Sequence, residues 1–242
     1  MYMHTSHAAV RNAAFTLIEL LVVISIIALL VGILLPALGS ARRAAQQSVC
    51  LSNTRQIAVV MQMYANDDRD NFYPTAQMMM MGDGPEMSWI NQTKPYVEAL
   101  GVYVCPSDNS ENWEDPMPMN ERITSYGINA YFTPNHPPYQ GITPADIRTP
   151  TQTVIAAELI EDVTMDHFMP MYFGAPPRVA SMMMQGRQWD AVEAKPKTLA
   201  FDRHTNKANY VFVDGHAASH AFEDTWTQNN SSPPDTDWYD PK

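Results

Sequence analysis

The pattern of polar and apolar positions changes abruptly at Phe15. Residues 1–14 are polar, with Arg11 and no acidic side chain, whereas residues 15–35 form a 21-residue apolar run broken by one charge, Glu19. As an α-helix this run is about 31 Å long, close to the thickness of a bilayer's hydrocarbon core. Its β-branched residues, among them Val22, Val23, Ile24, Ile26 and Ile27, weaken a helix in water. In lipid the backbone must satisfy its own hydrogen bonds, and a single segment does so only as a helix. The pattern therefore predicts a membrane-spanning helix over 15–35. A secretory signal peptide fits less well, because the run exceeds an ordinary apolar signal region and ends at Gly32 to Pro36 without a clear Ala-x-Ala site. A carboxylate inside such a span is costly, which marks Glu19 as a candidate functional residue.

Nothing after Pro36 stops a helix before Asn66, so 36–66 reads as an Ala-rich, amphipathic continuation. Residues 15–66 would then form one helix of about 78 Å, bent near Pro36 where the ring removes an N–H and crowds the preceding turn. Cys50, Ile57, Val60, Met61 and Tyr64 fall on one face of it and predict the stripe that carries a globular domain over 67–242. Prolines scattered from Pro74 onward predict short strands and long loops there. Val102 to Val104 reads as a short strand entering a turn at Pro106. Asp214-Gly215, between alternating apolar stretches, is a strong hairpin signal. A two-residue turn would pair Val213 with His216, Val211 with Ala218 and Asn209 with His220. The opposite face, with Tyr210 and Phe212, would then meet the helix. The expected class is α+β: a long N-terminal helix on a small antiparallel sheet.

Composition adds limits. With 45% hydrophobic and 17% charged residues the chain buries a real core, and a net charge of −11 argues against a nucleic-acid groove or an anionic lipid surface as main partner. The charge is uneven: residues 105–242 carry 9 Lys and Arg against 19 Asp and Glu. Arg11 before the span and this acidic domain after it place the N-terminus in the cytoplasm by the positive-inside rule. Two cysteines cannot build a four-thiolate zinc site. Cys50 and Cys105 could be one bridge, worth about 4 kcal/mol in the loop-closure model, or two buried thiols. Asp202, His204, Asp214, His216 and His220 form a dense group of ligand-type residues. In a regular strand, however, His216 and His220 stand about 13 Å apart, so a shared ion would need His204 folded back onto Asp214 or His216. The expected role of the group is structural, with Asp214 serving the turn and His204 or Arg203 bonding the hairpin. The methionine runs at 78–81 and 182–184 have no nearby His or Cys to complete a copper site. No nucleophile elbow, phosphate loop or His-Glu-x-x-His occurs, so no enzyme is expected.

Ala14-Phe15-Thr16-Leu17-Ile18-Glu19-Leu20-Leu21-Val22-Val23-Ile24 closely resembles the cleavage and methylation segment of type IV prepilins and type II secretion pseudopilins. The resemblance implies that a prepilin peptidase removes residues 1–14, cutting between Ala14 and Phe15, and that Phe15 becomes the N-methylated terminus. The residue before the cut is usually Gly in that family, and here it is Ala14. Pro36 matches a proline common in these helices. A second resemblance lies in Cys50 to Ile57, Tyr103 to Ser107, Ser125 to Asn129, and His204 through Asp214, Gly215 and His216. These look like a prepilin-type family abundant in planctomycetes, with an H-X9-DG C-terminal domain. Nine residues separate His204 from Asp214.

The resemblance further implies a structural subunit of a type II secretion pseudopilus or a type IV pilus-like filament. It would be held in the inner membrane by a single pass, with the C-terminal domain periplasmic. Its partners would be membrane lipid, the peptidase, other pilin or pseudopilin subunits and the inner-membrane assembly machinery. Glu19 would pair with a neighbour's terminal amine. Major pseudopilins often hold calcium in C-terminal loops, which makes Asp235, Asp237 and Asp240 calcium candidates; a solvated acidic tail is the other reading, and no further cofactor is expected. The contrasting function is a binding module, or a tethered enzyme, anchored permanently in the membrane.

Overall fold

The computed structural model describes residues 17–76, 88–114, 122–133, 142–174, 187–190, 195–227 and 236–242. The described residues fall into two compact units, divided after Ala44. In the first, helix α1 (Leu17–Asp67, 51 residues) begins and passes through Pro36. It is the one helix, among the described residues, long and apolar enough to cross a membrane. Its large apolar side chains are exposed from Leu17, at 81%, to Leu38, at 67%. The Ser40 hydroxyl donates to the Pro36 carbonyl at 2.7 Å. Such back-bonding shares the i−4 carbonyl with the helix ladder, which slightly weakens a helix and favours a bend.

In the second unit, the rest of α1 buries Cys50, Ile57, Ala58, Val60, Met61 and Ala65, with Tyr64 half-buried. This is the face the spacing predicts. The helix stops after Asp67, where the Asp68 carboxylate accepts the N–H groups of Asp70 and Phe72 and Asn71 turns to a φ of 56°. An Asp side chain that bonds the backbone ahead of it offers the chain an alternative to the helix ladder.

A five-stranded sheet receives this face. Its strands are β1 (Tyr126–Asn129), β2 (Val154–Glu158), β3 (His167–Phe168), β6 (Ala208–Phe212) and β7 (Ala217–His220), ordered β3-β1-β2-β6-β7. All neighbours are antiparallel except β1 and β3. Both faces are covered, so β1, β2 and β6 are buried along their whole length. Tyr126, Ile128, Ile155, Ala156, Val211 and Val213 pack with α1. Helix α2 (Trp89–Thr93) inserts Trp89 on this side, edge-on to Tyr103 at 5.4 Å. Val154, Ala157, Leu159, Ala208, Tyr210 and Phe212 pack on the other side, beneath Phe168, Phe173, Trp189, Phe222, Trp226 and Tyr239. That second layer is built from short pieces: β4 (Trp189–Asp190) with β5 (Lys195–Pro196), helix α3 (Phe222–Thr225), and β8 (Trp226–Thr227) with β9 (Thr236–Asp237).

Two expectations fail here. The hairpin of β6 and β7 pairs Ala208 with His220, Asn209 with Ser219, Tyr210 with Ala218 and Val211 with Ala217, one residue from the predicted register. The loop holds three residues, not two. Phe212 N–H donates to His216 O at 2.9 Å, Gly215 N–H donates to Phe212 O at 3.0 Å, and Gly215 takes the left-handed φ of 90°. Because side chains alternate, one extra turn residue sends the whole strand over. The shift moves Ala218 to the side of Tyr210; independently of it, the face of β6 that meets α1 is that of Val211 and Val213, and the Tyr210 and Phe212 face points away from the helix. The second failure is at 102–104. Leu100–Tyr103 is a 3₁₀ turn, closed by N–H bonds from Val102 to Ala99 O and from Val104 to Gly101 O. In this turn the Tyr103 ring lies edge-on to Trp89 and its hydroxyl lies 2.8 Å from that of Thr93.

Gly127 in β1 shows how tight the second layer is. A Cβ there would lie 2.6–3.0 Å from Cδ2, Cγ and Cδ1 of Leu159, which is itself fully buried. Gly127→Ala is expected to lower stability by about 1–3 kcal/mol through overpacking. Urea titration of the purified full chain in detergent reads this directly; an unchanged midpoint would mean that Leu159 can move aside.

Candidate functional site

The residues of interest fall into distinct places. Ala14 and Phe15 lie outside the described residues. Glu19 stands in the first described turn of α1, the end of a helix dipole that favours a carboxylate. Pro36 lies within the same helix, in its exposed apolar stretch.

Cys50, on the buried face of α1, and Cys105, in the segment after the 3₁₀ turn, form a disulfide. Both are fully buried. Asn53, one turn along α1, donates to Val104 O at 2.9 Å and holds the incoming segment against the helix, while Cys105 N–H donates to the Ser125 hydroxyl at 2.8 Å. The bridge therefore joins α1 to the segment leading into β1.

His204 comes to the same spot. Its Nε2 lies 2.9 Å from Glu158 Oε1 and 3.8 Å from the Cys105 sulfur. Glu158 ends β2 with 0% of its surface exposed, and His204 is 5% exposed. The carboxylate is held by Asn209 of β6: the backbone N–H donates to Oε2 at 2.9 Å and the side-chain amide to Oε1 at 3.2 Å. Asn209 is steadied in turn by the Ser219 hydroxyl of β7. His204 reaches this position through a tight loop, with Thr205 and Asn206 at φ of 57° and 61° and His204 N–H donating to Lys207 O at 2.9 Å. So His204 does not bond the hairpin directly, as expected from sequence; it bonds Glu158, which bonds the hairpin strand. Arg203 points elsewhere, to Leu159 O at 2.6 Å and Glu161 at 3.1 Å.

Asp214 and His216 sit apart from this cluster, at the hairpin turn. Asp214 Oδ1 accepts the His216 N–H at 3.1 Å and lies 2.5 Å from its Nδ1. The His216 ring stacks on Phe212 at 4.2 Å, and His220 stands edge-on to Trp238 at 5.1 Å. Partial burial pulls the His220 pKa below its ordinary value, with Asp224 opposing. Burial, reinforced by the Glu158 charge, pushes the Tyr126 phenol well above its usual range; its hydroxyl donates to Cys50 O at 3.3 Å.

The C-terminal acidic residues are not a free tail. Asp235 lies outside the described residues. Asp237 Oδ1 accepts the N–H groups of Tyr239 and Asp240, and Asp240 Oδ1 accepts that of Lys242. Val154 N–H donates to Trp238 O at 2.7 Å, Asn129 Nδ2 donates to Tyr239 O at 2.7 Å, and the Tyr239 ring is fully buried. Both described carboxylates therefore serve turns that dock an aromatic pair on the sheet. Sequence reasoning also missed Arg122. It is buried with Asp108 at 2.6 Å, donates to the carbonyls of Leu159, Ile160 and Val163, and stands over the Trp113 ring at 5.5 Å. Burial pulls its pKa below the usual value, and Asp108 opposes this. The sequence signal for Glu158 was a lone carboxylate closing the apolar run Val154-Ile155-Ala156-Ala157; Arg122 had no comparable signal.

No solved structure matches the chain. Residues 10–35 match the prokaryotic N-terminal methylation motif. A 96-residue stretch is 36% identical to the type IV wide pilus major component PilA4 of Thermus thermophilus, covering 39% of this chain and 72% of that protein. With an exposed apolar helix carrying Glu19 in its first described turn, and a small sheet packed on the second half of that helix, these similarities agree with the architecture. The chain belongs to the type IV pilin family.

Proposed function

We propose that this protein is a repeating subunit of a type IV pilus-like filament. Prepilin peptidase cuts it between Ala14 and Phe15 and methylates Phe15, and the subunit then assembles through the first half of α1. The observation that carries the reading is that the large apolar side chains of α1 from Leu17 to Leu38 are exposed, around a single carboxylate, Glu19. Before assembly such a helix is covered by lipid, and afterwards by the same helix of neighbouring subunits. In that apolar packing the terminal amine of one subunit needs a counter-ion, and a neighbour's Glu19 supplies it. An unpaired ion there costs several kcal/mol, so the pair selects axial register more than it adds net stability. The similarity to a major pilus component favours a pilus over a secretion pseudopilus. The domain after residue 67 would lie outside the cytoplasm, and the inner-membrane assembly machinery would extrude the subunits.

The test has two parts. Intact mass and N-terminal sequencing of the protein from its native membrane should show N-methylated Phe15. Glu19→Ala should leave insertion intact but remove the protein from the sheared filament fraction. An intact Met1 would make a permanent anchor the better reading. Filaments formed normally by the Glu19→Ala protein would remove the counter-ion mechanism.

A further inference from the structure

The four side chains Cys50, Cys105, Glu158 and His204 are drawn together from four separate stretches of chain, and their ligand-type atoms all lie within 4.8 Å of one another. A tetrahedral zinc ion with bonds of about 2.0–2.3 Å places its donors about 3.3–3.8 Å apart, and two Cys, a His and a carboxylate are all zinc ligands. All four residues are buried. We propose that, when Cys50 and Cys105 are reduced, these four side chains bind one zinc ion, and that zinc and the disulfide are alternative occupants of the same place.

Each element of the cluster fits this role. His204 presents Nε2, the atom 3.8 Å from the Cys105 sulfur and 2.9 Å from Glu158 Oε1, so the ring is already aimed between a sulfur and the carboxylate. Glu158 is oriented by the Asn209 backbone and amide, and Asn209 by Ser219, which is the outer layer of hydrogen bonds a metal-ligating carboxylate needs. Two thiolates, one carboxylate and a neutral imidazole around a divalent ion leave a single net negative charge. That is far less costly to bury than the same ligands without the metal.

The chemistry balances in both directions. The chain is made with both cysteines as thiols. Zinc binding displaces the two thiol protons, and forming the Cys50–Cys105 bond instead transfers two electrons and two protons to an oxidising disulfide, which becomes two thiols. Oxidation removes both sulfur ligands and so releases the ion. Zinc would thus hold α1, β2 and the His204 loop together before the bridge forms. This inference does not depend on filament assembly.

The test uses the full chain in detergent, without a histidine tag, reduced by a phosphine and exposed to zinc alone. Expected is one zinc per chain in the reduced protein and none in the oxidised protein. Cobalt in place of zinc should give the intense visible bands of a tetrahedral thiolate centre. His204→Ala and Glu158→Gln should each weaken binding by at least the roughly 10–100-fold that loss of an outer partner costs. Since either variant could misfold, His204→Cys provides a ligand swap that should retain zinc and shift the cobalt bands towards three thiolates. The proposal fails if the reduced chain, with unchanged circular dichroism, takes up no stoichiometric zinc. It fails equally if His204→Cys binds none, or if the cobalt spectrum is the same in His204→Ala, which would assign the metal to the cysteines alone.

Discussion

Asp108→Ala should destabilise the domain by about 3–5 kcal/mol, the range expected when one partner of a buried ion pair is removed. The Arg122 and Asp108 side chains are 1% and 0% exposed, so water does not replace the lost partner where the guanidinium stands. Arg203 adds to the cost, since its guanidinium also lies 3.6 Å from Asp108. Arg122 cannot simply swing away, because it also caps carbonyls of the segment after β2, donating to Leu159 O at 3.0 Å and Ile160 O at 2.6 Å. Asp108→Asn keeps an acceptor for Arg122 and should lose distinctly less. Urea midpoints of the two variants in the same detergent separate these outcomes. Equal and small losses would show that the guanidinium finds another partner.

The second large effect is removal of the bridge. Cys50→Ala with Cys105→Ala should cost about 4 kcal/mol, because the bond closes a segment with a sequence separation of 55 and so restricts the unfolded chain. The bond also ties α1 to the approach to β1, so its loss should first loosen the contact made by Asn53 with Val104. Thermal unfolding of the oxidised protein, of the double variant, and of the protein reduced without added metal should place the last two together and well below the first. A double variant as stable as the oxidised protein would mean that Asn53 and the apolar stripe alone hold the helix.

α1 was legible because its evidence is local. A long apolar run has one structural solution in lipid, and the buried stripe of Cys50, Ile57, Val60 and Met61 shows in a window of a few turns. The hairpin at Asp214-Gly215 was legible as a turn but not in register, since the same dipeptide serves two- and three-residue loops and the choice shows only in which layer β7 presents Ala218 to, here that of Tyr210 and Phe212. The Glu158 and His204 pair was not legible. Its members are separated by 46 residues, and no local period connects them. Likewise the acidic composition of 235–240 reads as a solvated tail, because the partners that bury Tyr239 come from β1 and β2.

The docking of Trp238 and Tyr239 bears on when the sheet is finished. Asn129 bonds a carbonyl 110 residues further along, and Gln62 of α1 bonds Val213 O across 151 residues. Contacts of such long range form slowly, since loop closure must precede any gain from them. While the chain is being synthesised, α1 emerges long before the strands that cover its buried face, and the sheet lacks its final hydrogen bonds until Tyr239 has left the ribosome. Until Trp238 and Tyr239 have emerged, Val154 N–H and the Asn129 amide lack the carbonyls that complete them, so the sheet reaches its finished hydrogen bonding only after both have arrived.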